Sequence, residues 1–249
     1  MVKTKKKRVV IILQARMGST RLPGKPLKKV LNRPLLSFQV ERLRRAQLVD
    51  EIIIATTTEP QDDLIVQFCK DEKIAYYRGS ALDVLDRYRQ AAKNAHADIV
   101  VRVTGDCPLI DPEEVDKVIK FYLDHLPEYD YVSNSLERTY PRGLDTEIFS
   151  MAMLEEASKE AKLPSEREHV TLYFYTHPES YSLKNVAHSK DLSNYRWTVD
   201  TTEDFELITK ILETLYPSNP DFKMDDILHL LDKHPEWNLI NAHIKQKKL

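Results

Sequence analysis

Cysteine is scarce in this sequence of 249 residues, and long apolar runs are absent. Cys69 and Cys107 are the only cysteines, and neither has a second cysteine or a histidine at metal-ligand spacing. We therefore expect neither a disulfide framework nor a zinc site. The apolar run after the basic segment 3–8 is too short to span a membrane and lacks a signal-peptide cleavage site. These absences predict a cytoplasmic protein without a membrane partner.

The sequence also lacks an excess of charge of either sign. Its 37 lysines and arginines nearly balance its 39 aspartates and glutamates, which leaves a net charge of −2. Binding to nucleic acid through the overall field of a protein requires a basic excess, so no nucleic-acid partner is expected. Any site for an anion must come from a local group of cations.

Short aliphatic runs alternate with amphipathic segments along the first half of the chain. The predicted strands are 9–13, 51–56, 74–77 and 98–103, and the predicted helices begin near residues 33, 61, 82 and 112. This alternation is typical of the α/β class with a doubly wound, mostly parallel, Rossmann-like sheet. Ligands bind such sheets at the carboxyl ends of the strands.

The alternation breaks down after about residue 130. Further strands are predicted at 131–134, 144–149, 182–186 and 195–199, and further helices at 152–160, 203–215 and 225–232. We interpret 134–195 as an inserted α+β region of a single domain, 1–249, that completes one side of the site. Within it, the aromatic run Tyr173-Phe174-Tyr175 favours either a homodimer interface or a buried helix.

Glycine is the other scarce residue, and its positions are informative. Average usage would give roughly 17 glycines in a chain of this length. The sequence has 5, namely Gly18, Gly24, Gly79, Gly105 and Gly143. The first four follow predicted strands at the edge where ligands bind. The chain therefore keeps glycine mainly where a ligand would approach the backbone.

The segment after the first strand concentrates positive charge. It reads Gln14-Ala15-Arg16-Met17-Gly18-Ser19-Thr20-Arg21-Leu22-Pro23-Gly24-Lys25, with three cations, two glycines and two hydroxyl side chains. Backbone donors and positive charge at the mouth of a strand are what a polyphosphate requires. A solvated surface loop is the alternative interpretation.

Three motifs together resemble the cytidylyltransferase family that makes CMP-activated sugar acids. They are the loop 14–25, Gly105-Asp106-Cys107-Pro108-Leu109, and Trp197-Thr198-Val199-Asp200-Thr201-Thr202-Glu203-Asp204. The resemblance covers nearly the whole chain in matching order, and it is nearer to the SpsF-type branch than to the CMP-Kdo and CMP-acylneuraminate synthetases. It implies a nucleotide-diphospho-sugar transferase-like fold. The implied activity is Mg²⁺-dependent transfer of CMP from CTP to a sugar acid, with release of pyrophosphate, for surface polysaccharide biosynthesis.

The resemblance also implies roles for individual residues. Arg16 and Lys25 would contact the triphosphate. Asp106 would be a Mg²⁺ ligand, and because Mg²⁺ often takes a second carboxylate, Asp200 is the candidate for that position. The alternative role of Asp200 is to cap the following helix, and Asp204 would assist the metal or close that cap. The remaining residues expected to bind CTP are Ala15, Gly18, Ser19, Arg21, Thr56, Thr57, Gly79 and Ser80.

Some of these roles have structural alternatives. Thr56 is also simply a good strand former. Asp83 and Arg87 are spaced for a helical ion pair, unless Arg87 reaches the site. For the sugar acid the candidates are Arg142, Glu147, Arg167 and His169, with Arg138 also available. Lys25-Pro26 departs from the Lys-Asn that the sialate and Kdo enzymes commonly carry, so their particular sugars are not implied.

Two other functions remain open from the sequence. The first is a glycosyltransferase that uses a nucleotide-sugar on the same kind of sheet, although Asp106-Cys107-Pro108 lacks the second acid of an Asp-x-Asp motif. The second is a nucleotide-binding homologue that has no catalytic activity.

Overall fold

The structure, a computed structural model, describes residues 6–246, so residues 3–5 of the basic segment lie outside it. The strands are β1 (Val9–Gln14), β2 (Lys29–Val30), β3 (Arg33–Pro34), β4 (Glu51–Thr57), β5 (Ala75–Gly79), β6 (Ile99–Thr104), β7 (Tyr131–Ser133), β8 (Glu147–Ser150) and β9 (Leu183–Asn185). The helices are α1 (Leu35–Leu43), α2 (Asp63–Asp71), α3 (Val84–Asn94), α4 (Pro112–Asp124), α5 (Met151–Glu160), α6 (Pro164–Glu168), α7 (Leu172–Thr176), α8 (Thr202–Leu215) and α9 (Met224–Lys233). Short 3₁₀ turns cover 25–27, 60–62 and 235–239.

Seven of the strands form one sheet in the order β5-β4-β1-β6-β8-β7-β9, and β2 pairs with β3 separately. The first four strands of that order run parallel, β8 is antiparallel to both of its neighbours, and β9 is parallel to β7. The sheet is therefore mostly parallel, and the predicted fold class is confirmed. The four strands predicted in the first half are all present, with small shifts at their ends.

Strand β1 lies at the centre of the parallel half, and both of its faces are covered. Val9, Ile11 and Leu13 pack in one core with α1, α2 and α4. Val10 and Ile12 pack in a second core with α3 and α5. An uninterrupted aliphatic run suits a strand that is buried on both sides, and this is why the run at β1 shows no polar alternation.

A third core lies beyond the sheet and holds the C-terminal helices. Trp197 is fully buried there among the apolar residues of α8 and α9, together with Leu109 and Leu22. The amide of Val199 donates to the carbonyl of Asp106 at 2.8 Å. This packing brings the segment before α8 against the segment after β6, although the two are far apart in the sequence.

The prediction of a strand at 195–199 is wrong. Within the described residues this segment forms a single bridge, between Arg142 and Arg196, and its other backbone hydrogen bonds go to loops. Its apolar side chains are buried in the third core rather than in the sheet. Gly143 lies beside it with a φ of +104°, and a Cβ atom there would come within 2.6 Å of the Trp197 carbonyl carbon.

Region 134–195 contributes β8, β9 and α5–α7, and its description as an insertion stays a prediction. Its aromatic run forms α7, in which Phe174 is buried against Tyr131, Phe149 and Tyr181. The expected homodimer therefore has no support from Phe174. No helix in residues 6–246 combines the length and apolar character needed to cross a bilayer.

Candidate active site

The loops after β1 and β6 meet at the carboxyl edge of the sheet, and Gly105 permits their close approach. Its amide donates to the carbonyl of Gln14 at 2.8 Å. A Cβ atom at Gly105 would lie 2.6 Å from that carbonyl oxygen and 3.0 Å from the Cβ of Ala15. Only glycine fits without displacing the backbone, so this contact places Asp106 beside the cationic loop.

Lys25 joins the two predicted metal ligands. Its Nζ lies 3.0 Å from Oδ2 of Asp106 and 2.8 Å from Oδ1 of Asp200. Arg21 adds a second cation, with its guanidinium 3.0 Å from Oδ2 of Asp200. Asp106 and Asp200 both contact Nζ of Lys25, so the two contacting oxygens are separated by no more than the sum of those two distances. The structure thus brings together residues 25, 106 and 200 as the sequence predicted.

The electrostatics of this cluster favour the charged forms of Asp106 and Lys25. Burial would raise the pKa of Asp106, but the charge of Lys25 and a hydrogen bond from Thr104 outweigh it and hold that pKa below its ordinary value. Thr104 Oγ1 donates to Asp106 Oδ1 at 2.6 Å. Burial likewise opposes the charge on Lys25, yet the two carboxylates raise its pKa. Lys25 and Asp106 therefore stabilise the charged form of each other.

Asp200 does not cap α8. Thr201 caps the helix, and Asp204 closes the capping box with it. The hydroxyl of Thr201 caps the helix by accepting from the Asp204 amide, while Asp204 Oδ2 accepts from the amides of Asp200 and Thr201 at 3.0 and 3.1 Å. Arg196 bridges the two acids, with contacts of 3.1 Å to Asp200 and 2.8 Å to Asp204. The side chain of Asp200 is therefore left to contact the cations of the loop.

The other predicted phosphate contacts differ in their availability. Arg16 is exposed, and it has no hydrogen bond or ion pair among residues 6–246. The amide of Ser19, expected to serve as a donor, instead donates to the carbonyl of Met17 at 2.9 Å. Gly18 lies against Gln61, where a Cβ atom would come within 2.9 Å of the amide nitrogen of that side chain. Arg16 is thus the cation of this loop that is most open to a ligand.

Thr56 and Thr57 end β4 and differ in their contacts. Thr56 is fully buried, and its hydroxyl has no partner in the described part of the chain. The hydroxyl of Thr57 donates to Asp62 and accepts from the Glu59 amide at 3.1 Å. Thr56 thus holds an unpartnered hydroxyl at the end of β4, whereas the side chain of Thr57 serves the loop that follows the strand.

A small cavity of about 150 Å³ adjoins this region and includes Gln14, Arg16 and Arg87 in its lining. Arg87 is 2% exposed, donates to the carbonyl of Ser80, and packs on Gly79. Burial lowers the pKa of Arg87, and the nearby charge of Arg16 adds to that effect. Gln14 Oε1 and Arg87 Nε are buried and unpaired among residues 6–246. Arg102 also lines the cavity with a buried, unpaired Nε, so the cavity offers one such acceptor and two such donors to a ligand.

The predicted helical ion pair between Asp83 and Arg87 does not form. Asp83 Oδ1 caps α3 by accepting from the Asp86 amide at 2.9 Å, and it also accepts from Arg167 Nε at 3.1 Å. Arg87 instead lines the small cavity, and the second alternative, that it reaches the site, stays a prediction. The hydroxyl of Ser80 accepts from the amides of Leu82 and Asp83, so it stabilises the start of α3.

A larger cavity of about 440 Å³ lies between Asp106 and Asp200 on one side and β8 on the other. Arg142, Glu147 and His169 line it, as the sequence predicted for sugar binding. Arg167 is absent from its lining, because its guanidinium pairs with Asp83 and donates to the Ser158 carbonyl at 2.6 Å. The structure thus assembles three of the four predicted sugar contacts.

Three arginines line this cavity, and two of them have carboxylate partners. Arg102 lies 2.7 Å from Glu147, and Arg138 binds Asp145 through two contacts of 2.5 and 2.9 Å. The guanidinium of Arg142 has no partner within residues 6–246. Burial lowers the pKa of Arg142, and the positive charges of Arg138 and Arg196 add to that effect. An anion in the cavity would therefore be attracted to Arg142.

The sequence of this chain is similar to those of known proteins along most of its length. Residues 10–240 match the family model of the cytidylyltransferases. The chain belongs to the cytidylyltransferase family. It is 33% identical over 235 residues to the spore coat polysaccharide biosynthesis protein SpsF of Bacillus subtilis. The match covers 92% of this chain and 95% of SpsF.

Two solved structures are similar to this chain, one in sequence and fold and the other in fold. The structure of a cytidylyltransferase from Leptospira borgpetersenii has a TM-score of 0.90 and 34% identity, and the match covers 98% of this chain and 100% of that protein. A CMP:2-keto-3-deoxy-manno-octonic acid synthetase solved with CTP has a TM-score of 0.65. At 19% identity over 83% of this chain and 98% of the synthetase, this second likeness shows the fold alone.

The donor set of this cytidylyltransferase suits a metal ion that arrives with phosphate. No group of three or more His, Cys, Asp or Glu side chains suited to a metal occurs in the part of the chain that the structure describes. Asp106 and Asp200 supply two carboxylates at one point. Mg²⁺ commonly takes one or two carboxylates and completes its shell with water and substrate phosphates, so the pair fits this ion.

Sequence reasoning missed Arg102 and Asp145, which line the larger cavity, and Asp62, which contacts the loop after β1. Arg102 carried a signal, because it is the one charge inside the apolar run 99–103. A charged side chain in a strand covered on both faces requires a partner, and here the partner is Glu147. Asp145 and Asp62 carried no comparable signal, since acids are common in loops and at helix starts.

Proposed function

We propose that this cytidylyltransferase transfers CMP from CTP to a sugar acid, releases pyrophosphate, uses Mg²⁺ and serves the synthesis of a polysaccharide. Family membership supports the use of CTP. The relationship to a spore coat polysaccharide biosynthesis protein supports the pathway. The synthetase with the same fold is named for a sugar acid, 2-keto-3-deoxy-manno-octonic acid. The cavity beside Asp106 and Asp200 supports an acidic acceptor for this chain.

The observation that carries the sugar-acid assignment is the unpaired guanidinium of Arg142. The other two arginines in the cavity are neutralised by Glu147 and Asp145, so Arg142 is the position where a ligand carboxylate gains most. A guanidinium binds a carboxylate through two parallel hydrogen bonds, which also orients the ligand. Glu147 accepts from Arg102 and Thr171 through Oε2, so its Oε1 is suited to accept a hydrogen bond from a sugar hydroxyl group, as are the remaining lone pairs of Asp145.

The nucleotide is proposed to lie across the carboxyl ends of β1, β4 and β5. Arg16, Arg21 and Lys25 supply positive charge for the triphosphate, and this charge stabilises pyrophosphate as it departs. In the small cavity, Gln14 Oε1 would accept from the cytosine amino group while Arg87 would donate to a ring acceptor. Thr56, Gly79 and Ser80 adjoin this position at the strand ends.

Asp106 and Asp200 are the residues proposed to hold Mg²⁺. When bound there, the ion would neutralise charge that develops on the phosphate oxygens. Thr104 orients Asp106 through its hydrogen bond, and Arg196 orients Asp200. The larger cavity opens from this pair, so an acceptor anchored at Arg142 would lie beside the α phosphate.

A substrate comparison tests the role of Arg142. The wild-type enzyme should prefer a sugar acid over its methyl ester, and Arg142→Gln should lose that preference. Loss of a charge-assisted hydrogen bond predicts a rise of about 10- to 100-fold in KM for the acid, with KM for CTP nearly unchanged. Arg44→Gln, on the surface after α1, is the control. Equal use of acid and ester by the wild-type enzyme would refute a carboxylate contact at Arg142.

A further inference from the structure

We propose that Asp62 is a positioning residue that fixes the conformation of the triphosphate-binding loop 14–25. This inference rests on the proposed function for the identity of the nucleotide, but its structural basis is independent of it. Asp62 lies in the 3₁₀ turn before α2 and is 1% exposed. Neither the loop motif nor the two aspartate motifs include it.

The carboxylate of Asp62 connects two strand ends. Its Oδ1 accepts from the Met17 amide at 2.7 Å, within the loop that follows β1. Its Oδ2 accepts from the amide of Thr57 at 3.3 Å and from the hydroxyl of the same residue, at the end of β4. The side chain of Asp62 therefore connects the triphosphate-binding loop to β4.

The hydrogen bond from the Met17 amide to Asp62 holds the loop in its conformation. The carbonyl of Met17 accepts from the amides of Ser19 and Gly24 at 2.9 and 3.0 Å, so a single peptide group closes the loop. Gly24 has a φ of +69°, a left-handed conformation that turns the chain into the residue that follows. That residue is Lys25, which contacts both proposed metal ligands. Release of Met17 would thus shift the cation on which the triphosphate depends.

The cost of burying Asp62 indicates that its position matters. Within residues 6–246 it has no ion-pair partner, and its donors are two amides and a hydroxyl. A buried carboxylate without a paired cation is expensive to desolvate, and it persists where its hydrogen bonds compensate. Helix capping does not explain it, because Asp62 makes no side-chain cap hydrogen bond to α2.

Asp62→Asn is the test variant. Asparagine has the same shape, but one of its two terminal groups is a donor and cannot accept from an amide. Either Met17 or Thr57 then faces a donor, so the loop loses an anchor. We expect the Kd for CTP, measured by calorimetry, to rise at least about tenfold. The Kd for cytidine, which lacks phosphates, should change less than about twofold.

Asp71→Asn is the matched control, since Asp71 is an exposed acid at the other end of α2 and accepts only from Gln67 at 2.8 Å. It should leave both dissociation constants unchanged. Hydrogen exchange adds a direct readout, because the Met17 amide should be protected in the wild-type protein and should exchange faster in Asp62→Asn. A general loss of structure would instead accelerate exchange throughout the sheet.

Three outcomes would overturn the proposal. They are an unchanged Kd for CTP in a folded Asp62→Asn protein, an equal loss of CTP and cytidine binding, and an unchanged exchange rate at Met17. If wild-type protein prefers another nucleoside triphosphate, the proposed function fails on its own. The Asp62 comparison is then made with that triphosphate and its nucleoside, so the two failures are distinguished.

Discussion

Lys25 contacts both carboxylates that we assign to the metal. An ammonium group at 2.8 and 3.0 Å from two acids lowers their mutual repulsion, and it also competes with any other cation for the same oxygens. The pair should therefore have little affinity for a divalent ion while Lys25 stays between the carboxylates. A triphosphate gives Lys25 another anion to bind and brings oxygen ligands for the metal.

Lys25→Met tests this competition, because methionine keeps much of the side-chain length and removes the charge. We expect the variant to bind Mn²⁺ alone at least about tenfold more tightly, since the two carboxylates then lack their cation. Its Kd for CTP should rise by a similar factor, because a contact to the triphosphate is lost. Electron paramagnetic resonance measures free Mn²⁺ directly. An unchanged or weaker affinity for Mn²⁺ would contradict the competition.

At the residue scale, sequence reasoning succeeded where a motif fixed both residue type and position. Asp106, Asp200 and Lys25 meet as predicted because each follows a strand or a buried segment at the same edge. Arg167 was predicted to bind the sugar, yet it pairs with Asp83. A sequence cannot show which of several acids lies near an arginine in space, and that information decided the role of Arg167.

Helices α1 and α8 are joined by a polar cluster around Glu41. Its carboxylate accepts from Arg33 and Arg45, each at 2.6 Å, and from the hydroxyl of Tyr216, at 2.9 Å to the nearer oxygen. Burial would raise the pKa of Glu41, but these hydrogen bonds and positive charges outweigh it and hold the pKa below the usual 4.5. The cluster links β3 and α1 to α8, the helix that follows Asp200.

Glu41→Gln should lower stability in a pH-dependent way. A depressed carboxyl pKa contributes stability that is present above about pH 4.5 and is lost as the pH falls through the folded-state pKa. At pH 7 the expected loss is at most about 1 kcal/mol, because the cluster is partly exposed, or about 2–4 °C in Tm. Thermal melts should show this difference shrinking toward pH 3. A difference that is constant with pH, or equal to that of the exposed control Glu213→Gln, would contradict the assignment.

At the element scale, prediction worked best for the parallel half. The aliphatic runs of β1, β4 and β6 are largely buried on both faces of the sheet, so the run and the strand coincide, whereas β5 at the sheet edge is exposed or half-buried. The segment 195–199 also carries apolar side chains, at Tyr195, Trp197 and Val199, but their burial comes from the third core and its hydrogen bonds go to loops. Composition reports burial, and it does not report which backbone partner is available. That partner is set by tertiary packing.

At the scale of the whole molecule, different parts of the sheet adjoin the two cavities of the proposed site. Its parallel half presents the cationic loop and the small cavity, whereas β8 and the loops near it line the larger cavity. The third core holds Asp200 against the parallel half, so the proposed metal site lies where the two parts meet. This arrangement suits a transfer between two substrates that bind side by side.

Pyrophosphate release is the measurement that tests the central claim most directly. Wild-type protein is incubated with Mg²⁺, CTP and a panel of ulosonic, nonulosonic and uronic acids, and pyrophosphate and CMP-sugar are quantified together. We predict equal amounts of the two products, formed only when CTP and an acid are both present, and no turnover after chelation of the metal. Asp106→Asn should lower turnover by orders of magnitude in the same assay. Release of a nucleoside diphosphate from a nucleotide-sugar, or CTP breakdown without any acceptor, would contradict cytidylyl transfer to a sugar acid.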